Sequence, residues 1–313
     1  MNHQVVLWIV FNLVVAGMLY VDLVLTGKDH TIGLREAALR TAAWVGLALL
    51  FCAGIYFYLS PAKAAEFLTG YLIEESLSVD NLFDFIMIFS YFNVDPAHQP
   101  RVLKWGILGA VFLRLALILL GTYLVKRFQW VFYIFGAILL YSSYKMAFGV
   151  EKGFNPDENP LFRQIRRILP ITGPAGNRFF VRVNGVLHAT PLFLTLVIVE
   201  FSDVVFALDS IPAIFSITQD AFIVYTSNVF AILGLRALFF LVSGLVQMFA
   251  YLKYGVALIL AFVGVKMLIM HWVHISTAAS LSVVVGVLAL SILLSVLVNR
   301  GRGPSSPAPA PPA

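Results

Sequence analysis

The chain is 313 residues long, 60% hydrophobic and 12% charged, with a mean hydropathy of +0.91. That composition excludes an ordinary soluble globular fold, and a net charge of +5 scattered between apolar runs excludes the basic domain of a nucleic-acid binder. A single cysteine, Cys52, excludes intrachain disulfides and thiolate metal clusters.

Nine apolar runs are long enough to cross a bilayer: about 5–25, 42–60, 72–92, 105–125, 128–148, 191–215, 221–247, 252–271 and 277–298. They lack the alternation of transmembrane strands. The expected fold is therefore all-α, a polytopic transmembrane helical bundle of about nine spans over residues 1–298. The first run has no basic leader and no small-residue cleavage site, and is expected to be a retained span. Positive charge collects in alternate connections. Lys28, Arg35 and Arg40 follow span one; Arg101 and Lys104 follow span three; six Lys and Arg between 152 and 182 follow span five. Lys253 follows span seven, and Arg300 and Arg302 follow span nine, whereas the other side shows only Lys63, Lys126 and Arg127. The positive-inside rule then predicts an external N-terminus and a cytoplasmic C-terminus. The linker 149–190 becomes cytoplasmic, and its basic amphipathic segment Leu161–Leu169 reads equally as an inner-leaflet helix or a solvated one. The Pro/Ala-rich tail, 299–313, is expected to be disordered.

Two runs are acidic. Ile73–Phe85 carries Glu74, Ser78, Asp80, Asn81 and Asp84, and Val199–Phe215 carries Glu200, Asp203, Asp209 and Ser210 ahead of Pro212. Carboxylates in membrane-length segments are costly and mark function. Three matches relate the two halves: Asp80-Asn81 with Asp209-Ser210, Leu113-Arg114 with Leu235-Arg236, and Lys145-Met146 with Lys266-Met267. Their offsets are 129, 122 and 121 residues. Repeat one, about 72–148, thus answers repeat two, about 191–271, each of three helices. Equivalent helices are an odd number of spans apart, so the repeats are inverted. That arrangement sets a site near the midplane, where two discontinuous helices meet.

Glu200 and Asp203 share a helix face at i and i+3, while on an unbroken helix Asp209 points about 120° away from Asp203. Pro212 is expected to open the helix near Asp209-Ser210 and turn all three carboxylates inward. The candidate metal ligands are Glu74, Asp80, Glu200, Asp203 and Asp209, with Asn81, Ser78, Ser210 and Asp84 as further ligands or supporting partners. This all-oxygen set suits Mg2+, Ca2+ or Mn2+ better than Zn2+ or Cu2+. His271 and His274 have metal-like spacing at a membrane face, where a helix-end role fits equally well. An emptied site should take up protons, since desolvation and like-charge repulsion favour neutral carboxyls. The expected partners are a divalent cation, protons and the lipid bilayer. In the competing reading these acids pair with Arg114, Arg236, Lys145 and Lys266 as structural or gating bases. No nucleophile–base pair or phosphate-binding glycine loop appears, so no enzyme is expected.

The segments GYLIEESLSVDN (70–81), ATPLFLTLVIVEFSDVVFALDSIPAIFSIT (189–218) and SNVFAILGLRALFF (227–240) resemble the TerC family of integral membrane proteins, including its Alx branch. The resemblance covers nearly all of residues 10–298. It implies a multi-pass protein of the bacterial inner membrane that exports Mn2+ from the cytoplasm, and links the chain to manganese loading of secreted enzymes and to tellurite resistance. The family's acidic positions carry over to Glu74, Asp80, Glu200, Asp203 and Asp209. Two other functions stay open, a calcium–proton exchanger and a non-transporting membrane scaffold.

Overall fold

The computed structural model describes residues 3–21, 33–149, 170–173, 176–245, 252–270, 272–273 and 275–301. Within them each predicted run meets one helix. In chain order these are α1 (His3–Tyr20), α2 (Leu34–Tyr58), α3 (Pro61–Tyr91), α4 (Gln99–Arg127) and α5 (Val131–Phe148). Then come α6 (Pro191–Phe215), α7 (Ala221–Leu245), α8 (Leu252–Ile269) and α9 (Thr277–Gly301), which passes the expected end at 298. Seven of them, α2 and α4 to α9, are long and apolar enough to cross a membrane. Of the other two, α1 is short, and α3 carries the acidic residues but spans 31 residues, about 46 Å.

Helix starts follow their caps. Ser60-Pro61 opens α3, with the Lys63 amide donating to Ser60 Oγ at 3.1 Å, and Thr190-Pro191 opens α6, with the Phe193 amide donating to Thr190 Oγ1 at 3.4 Å. The linker holds an element that its charge pattern did not announce. Phe180–Val183 (β1) pairs antiparallel with Val186–Ala189 (β2) around Asn184-Gly185, at φ 51° and 80°. An Asn-Gly pair adopts the two positive φ values of such a hairpin turn at little cost. The amphipathic segment Leu161–Leu169, His271, His274 and the tail beyond Gly301 lie outside the described residues.

Side-chain contacts give the direction of each helix. α3 and α7 run parallel, with Gly70 against Ser227 near one end and Phe89 against Phe239 near the other. α4 and α6 also run parallel, with Gly106 against Val199 and Gly121 against Phe215. α5 and α8 cross antiparallel, with Gly136 against Gly264 and Ser143 Oγ donating to the Ala257 carbonyl at 2.7 Å. α9 lies antiparallel to α8, where Lys266 meets Ser280 and Gly255 meets Ser291. The α7 span is 94% buried and forms the axis of the bundle, against 11% for α2 and 17% for α9 at the rim. The rim exposes Leu50, Phe57, Phe112, Leu290 and Leu293, an apolar surface suited to lipid.

The α5–α8 crossing depends on two missing side chains. A Cβ on either Gly136 or Gly264 would sit 3.0 Å from the other's carbonyl oxygen. Gly136→Ala is therefore expected to cost about 1–3 kcal/mol through overpacking, read as a lower unfolding midpoint in detergent. Gly286→Ala, which meets nothing within 4 Å, should leave that midpoint unchanged.

Candidate functional site

Two large apolar clusters fill the bundle, one around Phe67, Ile118, Ile214 and Val229, the other around Phe85, Leu103, Ile198 and Phe239, with a small third of Ile107, Ala110 and Ile232. Between the two large ones, near the middle of α4 and α6, lies a polar layer built on Arg114. Its side chain is 2% exposed. Nη2 and Nε donate to Asp203 Oδ1 and Oδ2 at 2.8 and 3.2 Å, a bidentate pair. Nη1 donates to Glu74 Oε1 and to Asn228 Oδ1, the latter at 3.0 Å, and Asn228 Nδ2 donates to Glu74 Oε2 at 3.0 Å. One guanidinium thus joins α3, α4, α6 and α7 and faces two carboxylates. With both ionised, the group is one negative charge in excess.

A third carboxylate stands one turn away. Glu200 lies on the Asp203 face of α6, and its Oε2 is buried with no hydrogen-bond partner. Its carboxylate occupies the space over Gly109 of α4, where a Cβ would collide with Oε1. Glu200 and Asp203 line a small pocket of about 10 Å3 with Phe85, Gly106 and Leu235, room for about one water or one bare ion.

The helix does not open where the proline was expected to open it. α6 runs unbroken through Asp209 and Pro212 to Phe215. Pro212 falls in the last turn, where it loses its bond to the Leu208 carbonyl and crowds that carbonyl, yet three more residues of helix follow it. Asp209 keeps the phase of a continuous helix and turns away from Asp203, toward α5, where Ser142 Oγ donates to its Oδ1 at 2.6 Å. Lys145, one turn further along α5, brings its charge within reach of the same carboxylate. The structure therefore brings Glu74, Asp203 and Glu200 together and holds Asp209 apart. Asp80 lies on α3, and its side chain is outside the described residues. Among the described residues, no group of three or more His, Cys, Asp or Glu could hold a metal ion.

The other candidate positions are scattered over α3, α5, α6, α7 and α8. Ser78, Asn81 and Ser210 are buried, and Ser210 Oγ has no partner, while Asp84 is half-buried. Arg236 is buried on α7, Lys145 is exposed, and Lys266 Nζ donates to Ser280 Oγ at 2.8 Å. Sequence reasoning missed Asn228 and Ser142. Asn228 stands inside the segment that carries the resemblance, two turns before Arg236, but a neutral amide gave no charge signal. The 129-residue offset that pairs Asp80 with Asp209 also pairs Glu74 with Asp203, and that was a usable signal for a shared partner.

A lipid-facing rim around a buried ionic layer defines a multi-pass helical membrane protein. Residues 59–303 match the Integral membrane protein TerC family, and the chain belongs to that family. It is 50% identical over 307 residues to Alx of Salmonella typhi, covering 95% of each chain. Against Alx of Escherichia coli strain K12 the identity is 49% over 304 residues, covering 94% of this chain and 95% of the relative. Both are named as candidate membrane-bound redox modulators. An uncharacterized membrane protein of Myxococcus xanthus is 47% identical over 307 residues, covering 97% and 96%. No solved structure matches.

Proposed function

We propose that this protein exports a divalent cation, Mn2+ first, across the bacterial inner membrane in exchange for protons. The observation that carries the reading is the excess of carboxyl groups over basic groups in the middle of the bundle. Arg114 faces both Glu74 and Asp203, and Glu200 adds a carboxyl with a partnerless oxygen beside a pocket of about 10 Å3. Buried charge of one sign calls for a counter-ion or for protons, and all-oxygen donors favour a hard cation such as Mn2+ or Ca2+. We read α3–α5 and α6–α8 as inverted repeats, in keeping with the parallel α3–α7 and α4–α6 pairs and the antiparallel α5–α8 crossing. We read the end bearing Arg101, Lys104, Arg178 and Lys253 as cytoplasmic, by the positive-inside rule. Asp80, Asp209, Ser210 and Asn81 then belong to the route by which the ion reaches or leaves the central carboxylates. The single cysteine leaves no dithiol in the chain, so a redox role like that named for the Alx relatives would act through the cation carried.

Cells lacking the gene should accumulate manganese under manganese load and regain tolerance with the wild-type gene. Asp80→Asn or Asp209→Asn should each abolish that rescue, read as total cellular metal. Accumulation of calcium in place of manganese would make the protein a calcium–proton exchanger. Rescue by both variants would make it a scaffold.

A further inference from the structure

The two ends of the bundle are built from matching parts. Ser60-Pro61 opens α3 as Thr190-Pro191 opens α6, and each acidic helix is followed by a turn in which an aspartate caps the chain two residues on. Asp95 Oδ1 accepts from the Ala97 amide at 2.8 Å, and Asp220 Oδ1 accepts from the Phe222 amide at 3.0 Å. The third residue of each helix differs. On α3 it is Lys63, whose Nζ lies 2.8 Å from Glu66 Oε2 and 3.3 Å from Asp220 Oδ2. Thr218 Oγ1 donates to the same Glu66 oxygen at 2.5 Å. On α6 it is Phe193, packed at a tilt against Phe180 with ring centroids 4.4 Å apart. The ends also differ in packing. Two turns below Lys63, Gly70 is closed against Ser227 and Ile214. The Asp95 end instead carries a shallow surface hollow of about 430 Å3 bordered by Ser90, Asn93, Asp95, Gln99 and Ser243.

We propose that the Lys63–Glu66–Asp220–Thr218 cluster is the latch of a gate at its end of the bundle, shut in this structure. The assignment rests on the transport reading above, with the latch end as the side of release. The latch ties the first turn of α3 to the turn between α6 and α7, so its rupture lets the two acidic helices separate at that end. Its side chains are only partly buried, with Lys63 33%, Glu66 17% and Asp220 34% exposed. Solvent-screened pairs of this kind break readily, as a gate that cycles requires. Burial disfavours the Lys63 ammonium, but the Glu66 hydrogen bond and the Asp220 charge outweigh it and hold its pKa above the ordinary lysine value. Lys63 is therefore held in its charged form at physiological pH.

The test places one cysteine behind the latch in a Cys52→Ala background, at Ser227 or, independently, at Ala213; both positions are fully buried. An impermeant maleimide is applied to membrane vesicles of each orientation. Lys63→Ala and Asp220→Asn should raise labelling from the Lys63 face by roughly two- to fivefold, the scale of an exposed ion pair, with no rise from the opposite face. Lys63→Arg should restore protection, and Thr218→Val should show a smaller rise without any change of charge. Unchanged labelling in Lys63→Ala, or equal rises from both faces, overturns the latch. Labelling needs no metal, so loss of manganese export with unchanged labelling leaves the transport reading standing and the latch refuted.

Discussion

Arg114→Leu should destabilise the protein by on the order of 3–5 kcal/mol, the usual consequence of removing one partner from a buried ionic group. That is a large part of the roughly 5–15 kcal/mol by which domains are held folded. Little folded protein should remain in the membrane. The size of the effect follows from what is left behind: Glu74 and Asp203 would face each other's layer with no cation, and Asn228 would lose its donor from Arg114. Arg114→Lys should recover only part of the loss, because an ammonium cannot reproduce the fork that spans Asp203 while reaching Glu74. The decisive comparison is the triple variant Arg114→Leu, Glu74→Gln, Asp203→Asn. Removing the charges together should restore much of the stability, since an ionic group replaced as a whole is often close to neutral. Yield of monodisperse protein and the unfolding midpoint in detergent read all three. A wild-type midpoint in Arg114→Leu would show that the guanidinium does not hold this layer.

The helices were legible in the sequence because a bilayer demands length and apolarity, and both are local properties. The rotational phase of Asp209 was legible too: a continuous helix turns it about 120° from Asp203, and it meets Ser142 on α5. The error lay in expecting Pro212 to break that continuity: it removes one bond and crowds the Leu208 carbonyl, but only Ala213, Ile214 and Phe215 of the helix follow it. Arg114 was named in the sequence as a base these acids could pair with, and it does pair with Glu74 and Asp203, but which acids it would meet was hidden. Its partners lie 40, 89 and 114 residues away, and no local pattern states which helices will pack together. Read as a gate or strut from its position alone, it is the joint of four helices. Asn184-Gly185 between two short alternating runs was a hairpin signal in principle, but the linker was read through its charge and not through its turns.

Glu200→Gln should separate function from stability in the opposite direction to Arg114. Cation transport should fall by at least about 10–100-fold, a scale on which even supporting residues of metal sites act. The unfolding midpoint should hold or rise. Glutamine keeps the shape that fills the space over Gly109 and removes the carboxyl whose Oε2 has no partner; a group that can no longer ionise there does not cost stability. A residue retained for packing would behave the other way, since its replacement by a near-isostere would leave transport intact. Gly109→Ala supplies the matching steric arm. Its Cβ must displace the same carboxylate, so it should lose transport as Glu200→Gln does, but with a loss of stability as well. If Glu200→Gln instead lowered the midpoint and left manganese export untouched, the excess carboxyl beside Arg114 would be a feature of the scaffold, and the ion would have to cross the bundle elsewhere.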